Sequence, residues 1–316
     1  MLRLISFLLA YIVFATAQAI AQSCSFSVTS VNFGNVDTLA GAAVDTTGTV
    51  NISCDGGALG ANFRICLNLN AGSGGATSGT RHMRNATNAA LDYNFYQDAA
   101  RSTPWGSVEQ TTLGNPVAVD LTAPILGSAS TTRTIYARVL ANQQSVATGL
   151  YTSAFSGAHV RFNYVTYLLT PPACTSVTQN ATRPSFNVQA NVIPNCMVTA
   201  QNIDFGNHGV LDANVDADGG LGVTCTPGTA YTVGLNNGLN GDSPTVRRMS
   251  LGGGAVMYGL YKDAARSQPW GNSGGDLVPG TGAGATQDLP VYGRVPPQTT
   301  PAPGTYTDTV VVTVTY

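Results

Sequence analysis

Three histidines, a few carboxylates and six cysteines are the residues of this chain that could do chemistry. His82, His159 and His208 could serve as bases near neutral pH, but no H-E-x-x-H motif accompanies them, and the G-x-S-x-G match at 271–275 falls in a glycine-rich stretch that reads as a loop. Asp92, Asp98 and Glu109 would have to meet in space to give the carboxylate pair of a glycoside hydrolase. No enzymatic activity is expected. Asp212, Asn214, Asp216, Asp218 and Gly219 look like the start of a calcium loop, yet Cys225 stands where the closing Glu belongs. They read as turn-forming residues, and no metal or cofactor is expected. The six cysteines lack the C-x-x-C spacing of a zinc site. In an exported chain, an even set of this kind reads as disulfides.

Export is written into the first 21 residues. Arg3 precedes an apolar run from Leu4 to Phe14, and Ala17, Ala19 and Ala21 have the spacing of a signal-peptidase site, so the mature chain is expected to begin at Gln22. No later stretch approaches the roughly 18–20 apolar residues of a membrane span. The remaining composition favours strands. Charged residues make up 9% of the chain, Lys262 is the only lysine and Glu109 the only glutamate, while there are 36 glycines and many Thr, Val and Asn residues. An all-β fold follows. At 316 residues the chain has room for two domains. A net charge of −2 without a basic cluster offers no footprint for nucleic acid.

The chain repeats itself. Cys24, Phe33-Gly34-Asn35 and Cys54 recur as Cys196, Phe205-Gly206-Asn207 and Cys225. Asp98-Ala99-Ala100-Arg101 and Pro104-Trp105-Gly106 recur as Asp263-Ala264-Ala265-Arg266 and Pro269-Trp270-Gly271. Tyr136-Ala137-Arg138 then matches Tyr292-Gly293-Arg294. Two copies of one compact sandwich are implied, the second with shorter loops. The matched cysteines predict Cys24–Cys54 and Cys196–Cys225 bridges, leaving Cys66 and Cys174 as a possible third pair. Because both copies carry the Trp and Asp-Ala-Ala-Arg blocks, those blocks read as structural.

Period-2 alternation marks the strands. Val310, Val312, Val314 and Tyr316 share one face at the C-terminus, and Val160, Phe162 and Tyr164 do so in the first copy, opposite His159, Arg161 and Asn163. Glycine-rich stretches such as 71–79 and 271–284 read as loops. Between the copies, Pro171-Pro172 is followed by a second alternating run, Phe186, Val188, Ala190 and Val192.

The order of landmarks resembles the spore coat protein U family: an export signal, a Cys, a Phe-Gly-Asn turn, a second Cys, a Tyr-x-Asp-Ala-Ala-Arg…Pro-Trp-Gly block and a terminal Val-x-Val-x-Val-x-Tyr strand. Here these are Cys196, 205–207, Cys225, 261–266, 269–271 and 304–316. Many members of that family resemble subunits of archaic chaperone-usher pili, immunoglobulin-like sandwiches whose missing last strand comes from a neighbour's N-terminal extension. The resemblance implies a secreted pilus tip subunit, exported through the periplasm to the cell surface and mediating attachment and biofilm formation. Its implied partners are a periplasmic pilus chaperone, an outer-membrane usher and the next pilus subunit. The expected layout is a signal over 1–21, a tip sandwich over 22–168, a linker over 169–194 with a donor strand at 185–193, and a pilin domain over 195–316.

In this reading Phe186, Val188, Ala190 and Val192 fill the groove of domain 1 within the same chain. Val310, Val312, Val314 and Tyr316 form the acceptor edge of domain 2, whose last strand is missing. Only Gln22 and Ser23 precede Cys24 after cleavage, which places domain 1 at an end. The 186–192 run could instead be the first strand of a self-contained domain 2. The chain would then be a secreted coat or matrix protein, or a carbohydrate-binding module. Counting strands places 55–62, 101–115 and 168–183 at the free pole of domain 1. Ala58, Leu59, Leu113, Leu168, Leu169, Pro171 and Pro172 are the candidate surface contacts, suited to an apolar surface.

Overall fold

The computed structural model describes residues 21–316. The export signal lies outside them apart from Ala21.

Domain 1 begins with β1 (Ser23–Val28), β2 (Val31–Val36), β3 (Val44–Asp55) and β4 (Ala61–Leu69). It continues with the short β5 (Ala76–Thr77), then β6 (Thr80–Arg84), β7 (Ala90–Tyr96), β8 (Val117–Ala123) and β9 (Ser128–Val139). Then come β10 (Gly149–Phe155), β11 (Val160–Tyr167) and β12 (Phe186–Val192). One sheet runs β1-β3-β9-β7-β6-β10-β12-β2, with β5 beside β6, and the facing sheet is β11-β4-β8. Alternation decides which residues turn inward. Val50, Ile52 and Cys54 of β3, and Ile135, Ala137 and Val139 of β9, enter a core that also takes all four apolar residues of β12.

Domain 2 repeats the plan with β13 (Cys196–Ala200), β14 (Val215–Cys225), β15 (Ala230–Leu235) and β16 (Arg247–Leu251). After them come β17 (Gly254–Tyr261), β18 (Val278–Thr281), β19 (Gln287–Val295) and β20 (Val312–Thr315). Its sheets are β13-β14-β19-β17-β16 and β18-β15-β20, around a separate core.

Disulfides and buried cations hold the two copies in the same way. Cys24–Cys54 links facing residues of β1 and β3, and Cys196–Cys225 does so for β13 and β14. Cys66–Cys174 ties the segment leaving β11 back onto β4. Trp105 Nε1 donates to the Leu67 carbonyl (2.9 Å), and Trp270 Nε1 donates to that of Val233 (3.1 Å). In each copy a buried guanidinium collects carbonyls, that of the tryptophan among them. Arg81 donates to Leu69, Asn70 and Trp105; Arg247 donates to Leu235, Asn236 and Trp270. Burial draws Arg81 down to about 10, still protonated at neutral pH.

Several expectations need correction. Phe33-Gly34-Asn35 is not a turn but a bulge within β2, where Gly34 takes φ +68° and the pairing with β12 shifts by one residue. Residues 71–79 and 271–284 are not loops throughout, since they contain β5 and β18. Asn163 is buried because the segment after β11 covers it, its Nδ2 donating to the Gln179 carbonyl.

Candidate functional site

In domain 1 the slot between β10 and β2 is filled by β12. β12 pairs antiparallel with β10 from Gly149↔Val192 to Phe155↔Phe186, and parallel with β2 from Val31↔Val188 to Val36↔Val192. Phe186 stacks on Phe155 with centroids 4.7 Å apart. Asn187 and Asn191 face solvent, which is why Asn is tolerated at alternate positions.

The same slot in domain 2 is a groove. Tyr151 and Tyr306 identify the equivalent walls, because each hydroxyl donates to the carbonyl four residues earlier, Ala147 (2.9 Å) and Ala302 (2.8 Å). Residues 304–310 therefore correspond to β10, and 201–209 to β2. Among the described residues no strand lies between them. A cavity of about 620 Å³ opens there, lined by residues that include Ile203, Phe205, Leu260, Tyr306 and Val310, and a second of about 560 Å³ continues it past Gly206 and Thr300. The effect on burial is consistent. Phe33, Met83, Tyr151, Phe155, Val160 and Phe162 are all buried in domain 1. Their counterparts Phe205, Met249, Tyr306, Val310, Val312 and Val314 are only partly buried.

This geometry corrects the expected acceptor edge. Val310, Val312 and Val314 do turn inward, but the terminal strand is β20 alone, and it pairs with β15 as β11 pairs with β4. In domain 1 β12 does not pair with β11, so the walls of the groove are 201–209 and 304–310, not the Val310–Tyr316 edge. Tyr316 is exposed, its hydroxyl 3.3 Å from Asn195 Oδ1. The Gly-x-Tyr that opens 304–310 was the available sequence signal, since it matches Gly149-Leu150-Tyr151.

A second feature lies at the end of domain 1 away from the joint. There the β3–β4 turn, the β8–β9 turn and the exit from β11 meet: the Leu126 N–H donates to the Gly57 carbonyl, and Leu59, Ile125 and Leu168 line one shallow depression. Leu59, Leu168 and Leu169 are 84%, 92% and 94% exposed. Ala58 is exposed, and Pro171 and Pro172 half-buried. Leu113 does not belong with them. It is 2% exposed, in the 101–115 segment that hydrogen-bonds to the opposite end of β4 through Leu69. Ile125 and Leu126, missed in the sequence, take its place; a Pro-Ile-Leu-Gly turn between two strands was their only mark.

Several of the residues with catalytic potential have side-chain partners in the fold. His82 spans a hairpin, Nδ1 2.7 Å from Asp92 and Nε2 3.1 Å from Thr77. Glu109 pairs with Arg161 and accepts from Asn70. Asp98 accepts the N–H groups of Ser102 and Thr103, which hold its carboxyl below the usual range. Asp216 and Asp218 lie on β14 and pair with Arg294 and Arg266 rather than closing a metal loop.

Two β-sandwiches built from one repeated unit, each with its own disulfide, the strand slot filled in one copy and open in the other, define the class of protein. The chain belongs to the Spore Coat Protein U domain family, whose model matches residues 10–157 and 182–313. Protein U of Myxococcus xanthus is 32% identical over 149 residues, spanning 42% of this chain and 83% of that protein. Among solved structures, the fold resembles a chain of the CsuC-CsuE chaperone-tip adhesion subunit pre-assembly complex from archaic chaperone-usher Csu pili of Acinetobacter baumannii. The identity is 19%, the TM-score 0.55, and the match covers 93% of this chain and 100% of that one. The CupB6 tip adhesin of Pseudomonas aeruginosa aligns over 93% of this chain and 94% of its own at 14% identity, with a TM-score of 0.42.

Proposed function

We propose that this protein is a two-domain subunit at the tip of a chaperone-usher pilus. β12 completes domain 1 within the chain, and the groove of domain 2 accepts an extended segment of the next subunit. The reading divides the chain into a tip sandwich over 22–168, a linker with the donor strand over 169–194 and a pilin domain over 195–316. One observation carries it: the same slot is filled by β12 in domain 1 and lined by half-buried apolar side chains in domain 2. The family match supports it further. Its second segment begins at residue 182, ahead of β12, so by sequence this strand opens the second unit while it packs in the first.

An apolar groove between unpaired backbone walls is an aggregation hazard. A periplasmic chaperone would cover it before an outer-membrane usher exchanges the chaperone for a subunit strand. The likeness to a chaperone-bound tip subunit is in keeping with that sequence of events. Exposed on the pilus, the pole formed by Ala58, Leu59, Ile125, Leu126, Leu168, Leu169, Pro171 and Pro172 would contact apolar surfaces in attachment and biofilm formation. No charged side chain lines the depression at this pole.

The test compares two forms of the mature chain: one unmodified, the other extended after Tyr316 by a flexible linker and a copy of Ser185–Ile193, whose tethering supplies an effective concentration in the millimolar range and so tolerates an imperfect match to the groove. A soluble, monomeric and cooperatively melting extended form, set against an aggregating unmodified one, supports the reading. Equal melting of the two would mean that domain 2 is already closed. The self-contained coat protein suggested by the family's description, or a carbohydrate-binding module, would then replace it.

A further inference from the structure

The two slots differ at one polar position. In domain 1 Ser153 lies opposite Val188 in the β10–β12 register, and its Oγ accepts the Gly74 N–H at 3.2 Å. Two residues beyond Tyr306, as Ser153 is two beyond Tyr151, stands Asp308. Each packs against a glycine of left-handed backbone: Ser153 on Gly72 (φ +77°), Asp308 on Gly238 (φ +77°). A neutral hydroxyl in the filled slot is thus a carboxylate in the open one.

Asp308 lines the groove. Its Oδ1 accepts the N–H groups of Leu239 (2.9 Å) and Thr309 (2.8 Å), and its Oδ2 accepts the Tyr258 hydroxyl (2.7 Å). A carboxylate offers about four acceptor positions, so one remains on Oδ2 for water while the groove is open. Arg247 does not take it, because its guanidinium donates to the carbonyls of Asn236, Pro244, Leu235 and Trp270. A docking strand with an apolar residue at this position would expel that water and return no hydrogen bond, which is costly beside a charged acceptor.

We propose that the groove selects a partner segment with a hydrogen-bond-donating side chain, Thr, Ser or Asn, facing Asp308, and that it thereby discriminates against this chain's own β12. Two residues to either side the partner carries apolar residues, facing Tyr306 and Val310. β12 presents Val188 at the selecting position, which suits Ser153 and not Asp308. Copies of the chain therefore do not thread into one another through this segment, a specificity obtained by penalising the wrong partner. The inference rests on the reading of the groove as a strand acceptor.

The experiment titrates two labelled nine-residue peptides, Ser185–Ile193 as it stands and its V188T form, into the whole mature chain and follows fluorescence anisotropy. Val and Thr are close in shape, so the pair isolates the hydroxyl. The V188T peptide is expected to bind at least tenfold more tightly, and the preference to fall within twofold on a D308S chain. Equal affinities on the unmodified chain, or tighter binding of the Val peptide, would overturn the selection while leaving the groove an acceptor. A preference that persists in D308S would also overturn it. If neither peptide binds either chain, the acceptor reading itself fails and the selection with it. Should D308S not fold, the comparison on the unmodified chain still decides.

Discussion

Truncating Phe186 to Ala asks which domain β12 holds together. Phe186 is 5% exposed, stacked on Phe155 at 4.7 Å and tilted against Phe95 at 6.4 Å. Removing a buried Phe side chain costs about 3–5 kcal/mol, and the aromatic pairs place this site toward the upper end. For a domain of 150–250 residues each kcal/mol is worth about 2–4 °C, so the melting temperature of domain 1 should fall by roughly 6–20 °C. The two tryptophans separate the readouts, since Trp105 is buried in domain 1 and Trp270 in domain 2. In a W270F background the fluorescence reports domain 1; in a W105F background it reports domain 2. F186A is expected to move the Trp105 transition and leave that of Trp270 in place, while N187A, exposed on the same strand, moves neither by more than about 0.5 kcal/mol. A shift confined to the Trp270 transition would refute the assignment of β12 to domain 1.

The other predictions follow from the same contacts. Removing the Cys66–Cys174 bridge, which closes a separation of 108 residues, should destabilise more than removing Cys24–Cys54 at 30; chain entropy gives about 4.7 against about 3.6 kcal/mol, read by urea denaturation of the Cys→Ser pairs. Asp45 is held below its ordinary value by hydrogen bonds from Arg138 and the charge of Arg101, and Asp216 by Arg294 and Arg266. A depressed folded-state value contributes stability above the unfolded value of 3.8 that is lost as pH falls through the lower folded one, so melting temperatures should drop in acid and D45N and D216N should flatten that drop. L59S combined with L168S and L169S should leave stability within about 0.5 kcal/mol, these side chains being exposed, and abolish retention on an apolar surface; unchanged retention would discard the apolar pole.

Where one residue type has one structural use, the sequence was enough. The recurrence of Cys24 and Cys54 as Cys196 and Cys225 prefigures two bridges because each joins facing residues of adjacent strands. The alternation of Phe186 to Val192 prefigures a strand with one buried face. What the sequence concealed was pairing. Period-2 patterns give the face of a strand and say nothing of its neighbour, so the terminal valines read as an acceptor edge although β11, the equivalent of β20, does not pair with β12 in domain 1. Leu113 and Ile125 show the same limit for loops, being similar apolar residues between strands, one buried within the 101–115 segment and the other exposed at the pole.

The difference between the two copies is physical as well as topological. One part of each copy is held alike: Trp105 with Arg81, and Trp270 with Arg247, fix the β4 and β15 ends with matching hydrogen bonds. The walls of the slot are not. In domain 1, β12 gives the backbone of β2 and β10 their partners, and both are strands, β2 with its bulge at Gly34. In domain 2 the corresponding residues 201–209 and 304–309 form no regular strand, although Phe205-Gly206-Asn207, Gly304 and Tyr306 repeat residues of the first copy. Their strand structure therefore depends on the strand between them. Docking of a partner segment should order both walls at once, and amide hydrogen exchange at 201–209 and 304–309 should slow on peptide binding while exchange around Trp270 stays as it was. Exchange already slow in the unbound chain would show that the walls need no partner.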